Sequence, residues 1–140
     1  MRILVISGSP RGISLVAGHE SKFIELPRPG GLVEPVPVDS CSERLADAFI
    51  AGASEAGHEC VKKTLHRLRN ISPCRACYGC LKTGGKCVIR DDMQELYPAF
   101  DAAEGVVFVS PLYYATIPAQ VMAVINRLYP YWIDGVRYPK

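Results

Sequence analysis

The stretch RILVISGSPRG, residues 2–12, decides the fold. Ile3, Leu4, Val5 and Ile6 form an unbroken apolar run, and Gly8, Ser9 and Pro10 stop it. A short, mostly β-branched run without alternation reads as a strand covered on both faces, the kind found in parallel sheets. GVVFVS (105–110) repeats the pattern and stops at Pro111. HECVKKTLHRL (58–68) is a weaker strand, with rough alternation through Cys60 or Val61, Lys63 and Leu65.

Helical patterns separate these strands. SERLADAFIAGASEAG (42–57) carries Leu45, Phe49 and Ala53 on one stripe, flanked by Ala46 and Ile50. Ser40 with Glu43 fits a capping box, and Gly57 a C-terminal stop. DDMQELYPAFDAAEG (91–105) opens on two acids suited to a helix N-terminus and groups Met93, Leu96, Tyr97 and Phe100, with Pro98 expected to kink or shorten it. IPAQVMAVINRLY (117–129) starts at Pro118 and presents Val121, Met122, Ile125 and Leu128. The order β-α-β-α-β-α predicts a doubly wound α/β fold with a parallel sheet.

At 140 residues and 49% apolar content, the chain is expected to form one domain, 1–140. A formal charge of +2 argues against nucleic acid as the partner. The local run Lys62, Lys63, His66, Arg67, Arg69 and Arg75 reads as a solvated face. The first strand is too short for a signal-peptide core and no apolar run is long enough for a membrane span, so a cytoplasmic protein is expected. Residues 12–39 hold Pro27, Pro29, Pro35 and Pro37 and stand where an α/β loop needs roughly 2–6 residues. They read as an extended insertion, with a lid or an arm onto a neighbouring subunit as the alternative.

In a sheet of order 2-1-3, the loops after the first and third strands flank one crevice at the carboxyl ends. The first, SGSPRG (7–12), offers Ser7, Ser9, Arg11 and free backbone N–H groups, with a helix start near Ser42. That suits a single phosphate, although the same residues make an ordinary turn, and neither a Walker A loop nor GxGxxG is present. The second, SPLYYATIP (110–118), offers Tyr113 and Tyr114 for a planar ring or as a core cap. Together the two loops suit a mononucleotide.

CRACYGCLKTGGKC (74–87) gathers four of the chain's six cysteines. Cys74, Cys77 and Cys80 follow C-x2-C-x2-C, and Gly84 and Gly85 would let the chain double back to Cys87. Four thiolates in a reducing compartment suit an iron–sulfur cluster. Zinc usually takes two separated C-x2-C pairs, and a C-x-x-C redox pair uses two cysteines; both remain open, as do cysteines without metal. Cys41 and Cys60 read as ordinary buried residues.

ILVISGSPR, SPCRACYGCLKTGGKCVIRDDMQELY and GVVFVSPLYYATIPAQVMAVINRLYP resemble the iron–sulfur flavoproteins of the NAD(P)H-dependent FMN reductase group. The resemblance covers most of the chain outside 12–39 and implies a flavodoxin-like fold. It implies FMN held at Ser7, Ser9, Arg11 and Ser42, with its ring against Ser110, Pro111, Leu112, Tyr113 and Tyr114. It further implies a [4Fe–4S] cluster on Cys74, Cys77, Cys80 and Cys87. The implied function is transfer of electrons between a one-electron donor such as ferredoxin and a two-electron acceptor, with NAD(P)H a candidate reductant, in a dimer or tetramer. A family member would continue beyond RYPK into two more strands, so the architecture is expected to be truncated after the third strand and its helix. The alternatives are a cluster-free FMN or quinone reductase and a non-catalytic, metal-stabilised assembly module.

Overall fold

In the computed structural model, which describes residues 1–9, 23–27, 33–37, 40–68 and 70–133, the opening apolar run becomes the middle of a sheet. β1 (Arg2–Ser7) pairs in parallel with β4 (Glu59–Thr64) on one side and β5 (Gly105–Val109) on the other. Ile3 stands opposite Cys60 and Gly105, and Ser7 opposite Thr64 and Val109. The order β4-β1-β5 gives β1 strand neighbours on both sides and helices on both faces, so Leu4, Val5 and Ile6 are fully buried. This is the expected α/β architecture, with the central strand as apolar as a two-faced strand must be.

Each face has its own core. Ile3 and Val5 pack with Ala46 of α1 (Cys41–Glu55) and with Val109. Leu4 and Ile6 pack with Leu65, Met93 and Leu96, with Phe100 of α3 (Tyr97–Ala102), and with Val121 and Val124 of α4 (Ala119–Asn126). Tyr131 of α5 (Tyr129–Ile133) closes this second cluster and donates from its hydroxyl to Asp101 at 2.8 Å.

Local chemistry sets the helix ends, and in four places the helices depart from the sequence reading. Ser40 caps α1 by accepting the Glu43 N–H at 3.2 Å, which is half of a capping box. The Glu43 carboxylate does not turn back to complete the box, because it binds Ser7 and Lys62 instead. The stripe of α1 that meets the sheet is Ala46, Ile50 and Ala53, not Leu45 and Phe49, which stay 62% and 38% exposed. Small Ala46 lets the helix approach the strands closely, and that choice rotates the two larger side chains outward.

The helix expected over 91–105, with a kink or shortening at Pro98, is two pieces. A 3-10 turn (Asp92–Glu95) is capped by Asp91, which accepts the Met93 N–H, and α3 follows with Pro98 in its first turn. Proline lacks the N–H that a continuous helix would need there, so the break falls where its ring is tolerated. Beyond α4 the chain turns at Arg127 and Leu128 into α5, which the periodicity did not announce.

Within the insertion, β2 (Phe23–Pro27) and β3 (Val33–Pro37) form a two-stranded antiparallel sheet, with Phe23 opposite Pro37. A two-stranded sheet consists of edges only, which is where strand prolines are tolerated.

Candidate functional site

The loops after β1 and β5 meet as the sheet order requires. The Gly8 N–H donates to the Val109 carbonyl at 2.8 Å, and a β-carbon on Gly8 would stand 3.1 Å from that of Ser110 and overlap Val121 of α4. Glycine is therefore required here for close approach, not for turn geometry. Ser7 and Ser9 are both buried. The Ser7 hydroxyl donates to Glu43, which brings the first turn of α1, with buried Ser42, against the end of β1. Lys62 of β4 pairs with the other Glu43 oxygen at 2.6 Å and with Asp47 at 2.6 Å. Partial burial opposes the Lys62 charge, but the two carboxylates outweigh it and raise its pKa. Arg11 lies outside the described residues.

Ser110 and Pro111 are partly buried, whereas Leu112, Tyr113 and Tyr114 are exposed. Tyr113 and Thr116 exchange backbone hydrogen bonds of 2.7 and 3.1 Å around Tyr114 and Ala115, whose φ angles are 51° and 64°. Two consecutive left-handed residues make a type I′ turn, normally the territory of Gly and Asn. Each costs roughly 1 kcal/mol or more without glycine, and such strain gathers at ligand clamps. The turn leaves the Tyr114 ring wholly in solvent at the carboxyl edge of the sheet.

The cysteine loop is shaped by a different set of left-handed residues. Ala76 and Tyr78 have φ angles of 51° and 55°, and they bend the chain on either side of Cys77. Tyr78 then starts α2 (Gly79–Lys82). Gly84 and Gly85 have φ angles of 63° and 77°, and the Gly85 N–H returns to the Cys80 carbonyl at 2.9 Å. Thr83 fixes this reversal by donating to the Lys86 carbonyl. As a result Cys74, Cys77, Cys80 and Cys87 line one small cavity with Tyr78, Val88, Arg127 and Tyr129. Cys80 is buried, and that burial pushes its thiol up; the Ala76 N–H donates to the Cys74 sulfur at 3.4 Å. All six cysteines are free, and among the described residues no three Cys, His, Asp or Glu side chains are grouped to hold a single metal ion.

The base of the loop is closed by residues the sequence reading did not assign to the site. Asp91 accepts from the Ser72 N–H and hydroxyl at 3.1 and 3.2 Å, and Asp92 accepts from the Asn70 N–H at 2.9 Å. Arg127 forks onto Asp91 at 2.6 and 3.1 Å and reaches the carbonyls of Ser72 and Ile89 at 3.0 and 3.4 Å. Burial alone would raise the Asp91 carboxyl, but Arg127 and the Ser72 donors hold it below the usual carboxylate range. The Tyr97 hydroxyl donates to the Arg127 carbonyl at 2.9 Å and also bonds Cys87; burial and that thiol push its pKa far up. Gln94 donates to the Ile89 carbonyl at 2.7 Å. The sequence signal for these roles is the DDM run, whose acids also suit a helix start, together with an arginine placed directly after an apolar helix.

The fit of this donor set to a cluster rests on three observations. Four cysteines line one cavity, no acidic residue falls between 70 and 90, and Arg127, which also lines the cavity, carries a buried N–H without a hydrogen-bond partner of good geometry. Four thiolates are the usual ligands of a [4Fe–4S] cluster.

Comparison with known proteins agrees with these features. Residues 1–136 match the family model described as NADPH-dependent FMN reductase. Two iron–sulfur flavoproteins of Archaeoglobus fulgidus are similar to the chain. One is 34% identical over 90 residues, covering 64% of this chain and 40% of the relative. The other is 37% identical over 97 residues, covering 66% and 49%. An iron–sulfur flavoprotein of Methanosarcina thermophila is 34% identical over 85 residues, covering 61% and 44%. The chain thus spans less than half the length of these curated relatives. Among solved structures, an NAD(P)H:quinone oxidoreductase from Methanothermobacter marburgensis matches with TM-score 0.59 at 19% identity, over 92% of this chain and 53% of that one. Azoreductase AzrA matches with TM-score 0.54 at 19% identity, over 91% and 55%. At that identity the likeness carries the fold alone, and the fold is flavodoxin-like. With its β4-β1-β5 parallel sheet and a match running through residue 136, the chain belongs to the NADPH-dependent FMN reductase family.

Proposed function

We propose that the chain serves in an electron-transfer flavoprotein that uses FMN and a [4Fe–4S] cluster. The observation that carries this reading is the convergence of Cys74, Cys77, Cys80 and Cys87 on one cavity in a chain of an FMN reductase family. When bound, FMN supplies one- and two-electron chemistry and the cluster supplies single-electron transfer. Ser9, Ser42 and Arg11 hold the flavin phosphate, with Ser7 and Glu43 bringing the helix start to the loop. The Ser110–Tyr114 segment supports the ring, its conformation set by the I′ turn. The four cysteines hold the cluster. No general acid or base is assigned, because the protein's part is to orient the cofactors and tune them.

A small acidic carrier such as ferredoxin fits the cysteine loop, where Arg75, Lys82, Lys86 and Arg90 are exposed. NAD(P)H is the candidate reductant on the flavin side, and a homo-oligomer is the proposed assembly. The free cysteines suit the reducing cytoplasm. Among the described residues no helix is long and apolar enough to cross a membrane.

The test is an anaerobic preparation assayed for iron, acid-labile sulfide and flavin. We expect iron and sulfide with broad absorbance near ~400 nm, lost in Cys77→Ser, and bound FMN retained in that variant. Protein free of iron and acid-labile sulfide would remove the cluster from the reading. Flavin that binds and is reduced by NAD(P)H in such protein would select the cluster-free reductase.

A further inference from the structure

We propose that Arg127 is a cluster-tuning residue, its Nε–H donating to a thiolate or sulfide sulfur in the cavity formed by the four cysteines. The proposal rests on the cluster reading above and goes beyond it by assigning a non-cysteine residue to the cluster's environment.

A count of donors points there. A guanidinium carries five N–H groups in a fixed plane. Four are engaged: two on Asp91, one on the Ser72 carbonyl and one on the Ile89 carbonyl. The fifth, on Nε, is buried and makes no hydrogen bond of good geometry among the described residues, although the Tyr97 side chain also interacts with the guanidinium. The side chain is 1% exposed, so water does not reach it freely. A buried donor on a charged group left without an acceptor carries its full desolvation cost, and such groups are rare in folded proteins. Arg127 lines the cavity that holds Cys74, Cys77, Cys80 and Cys87, and it interacts electrostatically with Cys87.

The chemistry of the cavity suits this donor. A tetrathiolate cluster is anionic, and its buried charge needs hydrogen-bond donors around it. Asp91 already balances the guanidinium charge, so the Arg127–Asp91 pair acts mainly through the remaining N–H and less as a free cation. Hydrogen bonds to the sulfurs are among the factors that set a cluster's reduction potential, and they stabilise the reduced, more negative state. Lysine at this position could keep the ion pair with Asp91 but would lack the planar fifth donor.

The deciding measurement is the midpoint potential of the anaerobically loaded chain, wild type against Arg127→Lys, with iron, sulfide and circular dichroism recorded for both. The expected result is equal iron and sulfide content and a more negative midpoint in the variant. An unchanged midpoint at equal loading would overturn the proposal while leaving the cluster reading intact. Wild-type protein that takes up no iron or sulfide would overturn both. Should Arg127→Lys fail to fold, pulsed electron paramagnetic resonance on the reduced cluster decides the matter. It uses arginine-15N-labelled protein in which exposed Arg75 and Arg90 are changed to Lys. A nitrogen coupling from Arg127 supports the hydrogen bond, and no resolvable coupling refutes it.

Discussion

Gly8 and Ala115 sit in the loops after β1 and β5, and a methyl group is unfavourable at both, absent at the first and present at the second. A methyl on Gly8 would overlap Val121 and crowd Ser110. Overpacking a site closed by backbone on one side and a helix on the other costs typically 1–3 kcal/mol. We therefore expect Gly8→Ala to lower the unfolding free energy by that amount, read as a lower urea midpoint with the m-value unchanged. Ala115 already carries the methyl that its φ of 64° disfavours. Removing it in Ala115→Gly should stabilise the chain by about 1 kcal/mol, less the entropy glycine adds to the unfolded state. A destabilised Ala115→Gly protein would mean that the turn is held by contacts of that methyl and not merely tolerated.

At the level of elements, the cysteine loop is a long excursion held at its base by Asp91, Asp92 and Arg127. Asp91 is held below the ordinary carboxylate value of 3.8 in the folded protein. Its contribution is complete where the unfolded carboxyl is also ionised and drains away as pH falls through its own depressed value. The melting temperature should thus decline steeply from about pH 5 downward. Asp91→Asn should flatten that decline and cost about 3–5 kcal/mol at neutral pH, because it strands a buried arginine. Thermal melts of both proteins across pH 3–8 check the point, and parallel curves would refute it. The strands were legible in the sequence because a strand buried on both faces is apolar throughout, as in Ile3–Ile6. The doubling back at Gly84 and Gly85 was legible too, since glycine there has one ready use. The clamp was not legible, because Arg127 is far from Asp91 in sequence and its pairing depends on the packing of α4. The burial of Ala46 in place of Leu45 and Phe49 was hidden for a related reason: helical period fixes the spacing of a stripe, not which stripe meets the sheet.

For the molecule as a whole, the described sheet has three strands, and Val106 and Phe108 of β5 remain 41% and 36% exposed. Among the described residues β5 pairs only with β1. Exposed apolar side chains on a strand with an open edge are the arrangement that invites association. Sedimentation velocity at rising concentration should show species above the 15.3 kDa monomer, and Val106→Lys should shift them toward the monomer. A concentration-independent monomer in both proteins would refute it. The contact at Gly8 also has a mechanical meaning. The glycine touches Val121 near the start of α4, and that helix, roughly 12 Å long at 1.5 Å per residue, ends at Arg127. α4 is in effect a connecting rod between the loop after β1 and the thiol cavity. A disturbance that lifts its first turn cannot leave the guanidinium at its far end in place, so the two loop regions share one alignment.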